Sequence, residues 1–285
     1  MSSRLETMAY KMQPAGHDAP QPKRTYPEPD KRLREAFEKW LDREYITLAE
    51  DEYKLAENLV ENLTPSVEEA HGLLLAYQED IRLGKLKPFN QGLFISAVYN
   101  KSPEKEIIFD LELSRAFGCF AYKLPKEKTF VNLTDIGIWC GQYSKGNLIN
   151  YGKTGANFGS GSTGVVLDYG RTKSIGNDAS LVISLGECEL AQNNDVLLYG
   201  GTIIQHGGLS FYASFDQPWQ KFDQKSKKLQ AAPMLTWQKY LAEIKQGLEK
   251  GRTDHHAAID AIKDLNAAKI KADFHRILRE EYDVA

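Results

Sequence analysis

Short apolar runs return along the middle of this chain, each followed by a glycine. NLINY precedes Gly152 and VVLDY precedes Gly170, while LVISL precedes Gly186 and TIIQH precedes Gly207. Aliphatic and β-branched residues bounded by Gly, Asn and Asp predict short strands. The intervals are regular: Gly137, Gly141, Gly146 and Gly152 recur 18 positions on as Gly155, Gly159, Gly164 and Gly170. A looser copy holds Gly176 and Gly186, and a fourth holds Gly201 and Gly207. Self-similarity at a fixed period marks stacked units. The pattern predicts a parallel β-solenoid with neighbouring strands over 147–151, 165–169, 181–185 and 202–206.

Aligned by their closing glycines, the four runs form columns. The second column is Leu148, Val166, Val182 and Ile203, and the third is Ile149, Leu167, Ile183 and Ile204. The fourth is polar (Asn150, Asp168, Ser184, Gln205), and the fifth is Tyr151, Tyr169, Leu185 and His206. Alternate residues of a strand face opposite sides. Being large and apolar, the third and fifth columns are assigned to the interior. The second column then faces outward, and as an apolar stripe it is the candidate interface, to be covered by a flanking helix or by a partner.

The flanks read differently. Residues 1–28 are proline-rich and polar without apolar period, predicting a disordered arm in which Tyr26 is a candidate anchor. Residues 29–115 read as a helical region with two leading strands. Asp30 precedes a stripe of Leu33, Phe37, Trp40 and Leu41, Tyr53, Leu55, Leu59 and Val60 make a second, and Ser66 with Glu69 makes a capping-box signature. GLFISAVYN and IIFDLEL read as the two strands. The solenoid occupies 116–213. Residues 214–285 read as helices, with Leu235, Tyr240, Leu241 and Ile244, then Ala258, Ile259 and Ile262, then Ile270, Phe274, Ile277 and Leu278 available for their apolar faces. The fold class is α+β: a central right-handed parallel β-helix of about 18 residues per coil, flanked by helices.

The glycine set Gly155, Gly159, Gly161, Gly164 and Gly170 resembles the GXGXG repeat of the glutamate synthase C-terminal domain and of the C subunit of formylmethanofuran dehydrogenase. The resemblance covers about residues 117–213. Tyr143 replaces the inner glycine in the first copy, and Asn177, Asp178 and Ala179 occupy that loop in the third. What it implies is a structural right-handed β-helix that positions other domains, without catalytic residues to carry over.

Composition changes this picture little. The chain has 285 residues, with 42% hydrophobic and 26% charged, which suits a globular protein with a sizeable core. A net charge of −3 gives no overall electrostatic case for nucleic acid, although a local basic patch stays open. No apolar run approaches the ~20 residues that span a bilayer, and the first residues lack an apolar leader, so no membrane partner and a cytoplasmic location are expected.

Candidate chemistry is sparse. Asp254, His255, His256 and Asp260, with Asp273 and His275 a helix away, contain metal-ligand types, but a capping Asp with solvent-facing histidines is the plainer reading. His206 sits in the tyrosine column and reads as a core histidine. The stretch 159–162 (Gly-Ser-Gly-Ser) precedes a strand, whereas a phosphate loop opens a helix. Cys119, Cys140 and Cys188 lack metal or redox spacing and read as packing residues. Lys225, Lys227 and Lys228 read as a solvated connector. No catalytic, cofactor or metal residue is assigned. The expected function is a non-catalytic scaffold that assembles with a protein partner or with itself. The alternatives are an enzyme with a site between the helices and the solenoid wall, and an RNA- or ribosome-associated factor.

Overall fold

The computed structural model describes residues 26–43, 49–83, 88–113, 117–207, 211–217, 220–223, 228–231 and 234–282. Most of the N-terminal arm, together with Lys225 and Lys227, lies outside them. The middle of the chain is a parallel β-solenoid of two sheets. In chain order the strands are β1 (Glu106–Phe109), β2 (Thr129–Asn132), β3 (Asn147–Asn150), β4 (Lys153–Thr154), β5 (Val165–Asp168), β6 (Arg171–Ile175), β7 (Leu181–Ser184), β8 (Glu187–Gln192), β9 (Val196–Tyr199), β10 (Thr202–Gly207), β11 (Tyr212–Ser214), β12 (Gln220–Asp223) and β13 (Lys228–Ala231). The first sheet has the order β1-β2-β3-β5-β7-β9-β11, the second β10-β8-β6-β4, and β12 and β13 form a separate antiparallel pair.

The register follows the sequence period and then contracts. Leu148 pairs with Val166 and Ile149 with Leu167, 18 positions on. Val166 then pairs with Val182, 16 positions on, and Val182 with Leu197, 15 on. The contraction corrects the fourth copy. The neighbour of β7 is β9, not residues 202–206, and β10 lies in the second sheet with Ile203 beside Cys188 and His206 beside Ala191. Two apolar runs stand in succession there, and the six-residue glycine interval fits the wrong one. Gly201 belongs with Gly152, Gly170 and Gly186. A Cβ at Gly170 would lie 2.0 Å from the Gly152 carbonyl oxygen, and one at Gly201 1.9 Å from that of Gly186. The stacked backbones leave no room for a side chain there. At Gly141, Gly159 and Gly176 the reason is different, since φ is +73°, +70° and +64°.

Among the described residues, the helices before the solenoid are α1 (Lys31–Leu41), α2 (Ala49–Leu59), α3 (Val67–Ala76), α4 (Gln78–Arg82) and α5 (Pro88–Lys101). Asp30 caps α1 and Ser66 with Glu69 completes a capping box on α3, as their spacing predicts. The segment GLFISAVYN, expected as a strand, lies within α5 instead. Residues 91–99 are all buried, and a helix apolar on every side carries no amphipathic signature. This helix lies against the first turn of the solenoid so closely that a Cβ on Gly92 would meet the Gly118 carbonyl. Buried Lys128 reaches across, donating to the carbonyls of Tyr99 at 2.7 Å and Ser102 at 2.5 Å, a cation at the C-terminal end of α5. Helical residues such as Phe37, Trp40 and Phe94 share one continuous core with Phe120, Phe130, Leu148 and Val166.

Among the described residues, the helices after the solenoid are α6 (Leu235–Lys250), α7 (His255–Ile262) and α8 (Ala267–Tyr282). They bury Trp237, Leu241, Leu248, Ile262, Ile270 and Phe274 in a second core, whose other wall is Ile149, Leu167, Ile183 and Leu198.

Candidate functional site

The two cores reverse the expected facing of the strands. Leu148, Val166 and Val182 are fully buried inside the solenoid, packed with Cys140, Phe158 and Ile175. Ile149, Leu167 and Ile183 of the third column face out and are covered by the C-terminal helices, while Ile204 stands exposed on the second sheet. The candidate interface Leu148, Val166 and Val182 is therefore interior core, and Ile203, partly buried, belongs to the other sheet. Both faces of the first sheet carry buried apolar residues because both are covered, so its hydrophobic pattern does not mark the inside.

Asn150, Asp168 and Ser184 of the polar fourth column are interior too. Asn132 donates through Nδ2 to Asn150 Oδ1 at 2.7 Å, and Asn150 donates to Asp168 Oδ1 at 2.7 Å. Stacked amides one coil apart satisfy one another, which is how a polar column survives inside a core. The ladder ends on Asp168, which also accepts from the backbone N–H of Gly170 at 3.2 Å. Among the described residues its Oδ2 and the Ser184 Oγ beside it in register are buried without a hydrogen-bond partner. Burial pushes the Asp168 carboxyl up to about 6, against the opposing pull of hydrogen bonds from Asn150, Thr172 and Gly170. Sequence reasoning placed this column outside, although its recurrence in three successive coils was the available signal.

Tyr151, Tyr169 and Leu185 of the fifth column face the helices, while His206 belongs to the second sheet. The Tyr151 and Tyr169 rings stack at 4.9 Å and donate their hydroxyls to the carbonyls of Gly251 and Leu248, at the end of α6. Arg252 donates to the Leu185 carbonyl at 3.1 Å and lies over the Tyr169 ring. Among the described residues these side chains tie the C-terminal helices to the first sheet.

The candidate chemical residues do not converge. Asp254 caps α7, accepting from the His256 N–H at 3.0 Å. The His256 ring lies 3.4 Å from the Glu106 carboxylate, Asp260 and His275 are exposed, and Asp273 pairs with Arg276. Among the described residues no group of three or more His, Cys, Asp or Glu could hold a metal. The Ser160 and Ser162 hydroxyls donate to carbonyls of the neighbouring coils, Asn177 and Gly141. The three cysteines are buried and unbridged, and burial pushes the Cys119 and Cys188 thiols up to about 12. Tyr26 is an anchor within the chain: its hydroxyl donates to Asp110 and its ring meets His71 edge-on at 5.2 Å. No helix among the described residues is long and apolar enough to cross a membrane.

Among the described residues no helix packs on the outer face of the second sheet. Lys153, Arg171, Lys173, Glu187, Glu189, Thr202 and Ile204 are exposed there, and Ile204 is 70% exposed. The register places Arg171 beside Glu187, 3.6 Å apart. It also sets Lys173 beside Glu189, and Glu189 beside Ile204. A shallow groove of about 400 Å³ runs across these coils, lined by Ala156, Lys173, Ser174, Glu189, Leu190 and Ile204. Short side chains form its floor, and two long charged stems and an isoleucine form its edge. Comparison of the chain with protein-family models, with curated proteins and with solved structures finds no match.

Proposed function

We propose that this chain is a non-catalytic interaction scaffold, in which a stiff β-solenoid presents the outer face of its second sheet to a protein partner or to another copy of itself. The observation that carries the reading is the unequal covering of the two sheets. Among the described residues, helices α6, α7 and α8 cover the first sheet and none packs on the outer face of the second, where a large apolar side chain stands exposed. A solenoid whose coils stack through backbone hydrogen bonds deforms little, which suits a platform.

The coil is read as a right-handed β-helix of about 18 residues per turn, of the GXGXG kind. Supporting it, Gly159 and Gly161 both take positive φ at alternate positions, and Tyr143 and Asp178 take the same sign where the repeat lacks glycine. Unbridged, buried cysteines fit a reducing compartment such as the cytoplasm.

The test is co-purification from the native cell, comparing the wild-type chain with Ile204→Asp and with a control substitution on exposed Lys263. The scaffold reading expects partners that survive the control and are lost with Ile204→Asp at unchanged melting temperature. An identical partner set for all three proteins overturns it. RNA in the wild-type eluate, leaving steeply as salt rises, would favour the RNA-associated alternative.

A further inference from the structure

Charge on the open face is segregated along the solenoid axis. The strands toward the N-terminal end carry Lys153 on β4 and Arg171 and Lys173 on β6, while β8 carries Glu187 and Glu189. The next strand, β10, carries uncharged Thr202 and Ile204. Size is segregated as well. Exposed Ile204 stands at one end, and the corresponding position beyond β4 is Gly155, followed by Ala156. A face that is positive with a hole at one end, and negative with a knob at the other, complements itself.

From this we infer that the partner is a second copy of this chain, docked face to face through the second sheet, with a two-fold axis parallel to the strands and midway between β6 and β8. The inference rests on reading this face as the interaction surface. Face-to-face dimers place their two-fold in the interface plane. An axis along the solenoid would set each strand against itself, Lys173 on Lys173 and Glu189 on Glu189. The axis along the strands instead sets β6 against β8 of the second copy and β4 against β10. Lys173 then meets Glu189, and Arg171 meets Glu187, each pair made twice. Ile204 enters the space left by Gly155 and Ala156 of the second copy, and Leu190 meets Ser174. Among the described residues Lys173 and Glu189 have no ion-pair partner within the chain, so both are available.

The patch is small. Four strands about 4.8 Å apart, each about five residues of 3.3 Å, cover less than the ~800 Å² per partner of a standard interface. The dimer is therefore concentration-dependent, with a dissociation constant in the micromolar range or above.

Sedimentation and light scattering over a concentration series test this through charge exchange. Lys173→Glu alone sets Glu against Glu across the axis, and Glu189→Lys alone sets Lys against Lys, so each is expected to bind itself at least about tenfold more weakly than wild type. Mixed together, the two variants place two acids against two lysines and should associate within about threefold of wild type, as should a chain carrying both exchanges. Ile204→Asp should weaken association with the fold intact. Wild type that stays monomeric to several hundred micromolar overturns the inference, as do single variants that associate like wild type or a mixture that fails to recover. If wild type is monomeric while Ile204→Asp still strips native partners, the dimer fails and the scaffold reading stands. If the partner set is also unchanged, both fail.

Discussion

Asn150 donates its side-chain amide to Asp168 Oδ1 at 2.7 Å, inside the solenoid and one coil away. The bond makes a carboxylate the end of an amide ladder. It does not offset the burial, since the carboxyl is still pushed up to about 6 from the ordinary 3.8. A carboxyl with a raised folded-state pKa binds its proton more tightly when folded. Its contribution is fully present below about pH 4 and is lost as pH rises through about 6. The loss is on the order of 3 kcal/mol. In Asp168→Asn that part of the pH dependence should vanish. Chemical denaturation at pH 4.5 and 7.5 measures it, and a variant with the wild-type slope contradicts the assignment. Above pH 7 the amide should be the more stable protein by about 1–3 kcal/mol, because the uncompensated buried charge is gone.

Tyr151 and Tyr169 hold the end of α6 through their hydroxyls. Tyr169→Phe keeps the ring stack and removes the donor, leaving the Leu248 carbonyl with the Gly251 N–H as its donor. The expected cost is that of one hydrogen bond, about 0.5–1.5 kcal/mol. Hydrogen exchange should show it as faster opening of residues 235–282 with the solenoid still protected. Uniform loss of protection across the chain would show that the helices and the solenoid open as one unit.

Two glycine columns fail differently when substituted. At Gly159, valine meets positive φ, and its Cβ falls 2.7 Å from a Val166 methyl, a flexible neighbour. At Gly170 the obstacle is the Gly152 carbonyl oxygen at 2.0 Å. Gly170→Ala is therefore expected to cost more than Gly159→Ala, the latter about 1–3 kcal/mol. Thermal unfolding of the two alanine variants ranks them, and the reverse order would remove close coil stacking as the reason for the Gly170 column.

Val166 and Leu167 are adjacent, and both are fully buried in different cores. Val166→Asp puts a charge inside the coil with no exit and should abolish folding rather than release a folded monomer. Leu167→Ala leaves a cavity under the helices and should cost about 2–5 kcal/mol. Circular dichroism of Val166→Asp decides the first point: a native spectrum would return the second column to the outside.

Lys128 is buried at the end of α5, where desolvation lowers its pKa and the Tyr99 and Ser102 carbonyls accept its protons. Lys128→Ala strands those carbonyls and should cost about 2–3 kcal/mol, more than Lys128→Arg. Equal losses for both, by urea unfolding, would mean that only the stem matters.

The period of Gly137 to Gly170 announces stacked parallel coils, and the Ser66–Glu69 and Asp30 signals announce helix starts, because both rest on local geometry. Close backbone stacking admits only glycine, and a helix start needs its own cap. Register beyond Ser184 was not legible in the same way, since the coil shortens and two apolar runs compete for one place. Facing was not legible either. Leu148 and Ile149 are equally apolar because each is buried, one by the coil and one by helices almost a hundred residues on. A strand's alternation reports which residues share a face, not what covers it. That the polar side of the coil turns inward depends on Asn132, Asn150 and Asp168 lying one coil apart, close enough to satisfy one another. That distance exists only once the chain has wound, so stacking belongs to the sequence, while inside and outside belong to the tertiary structure.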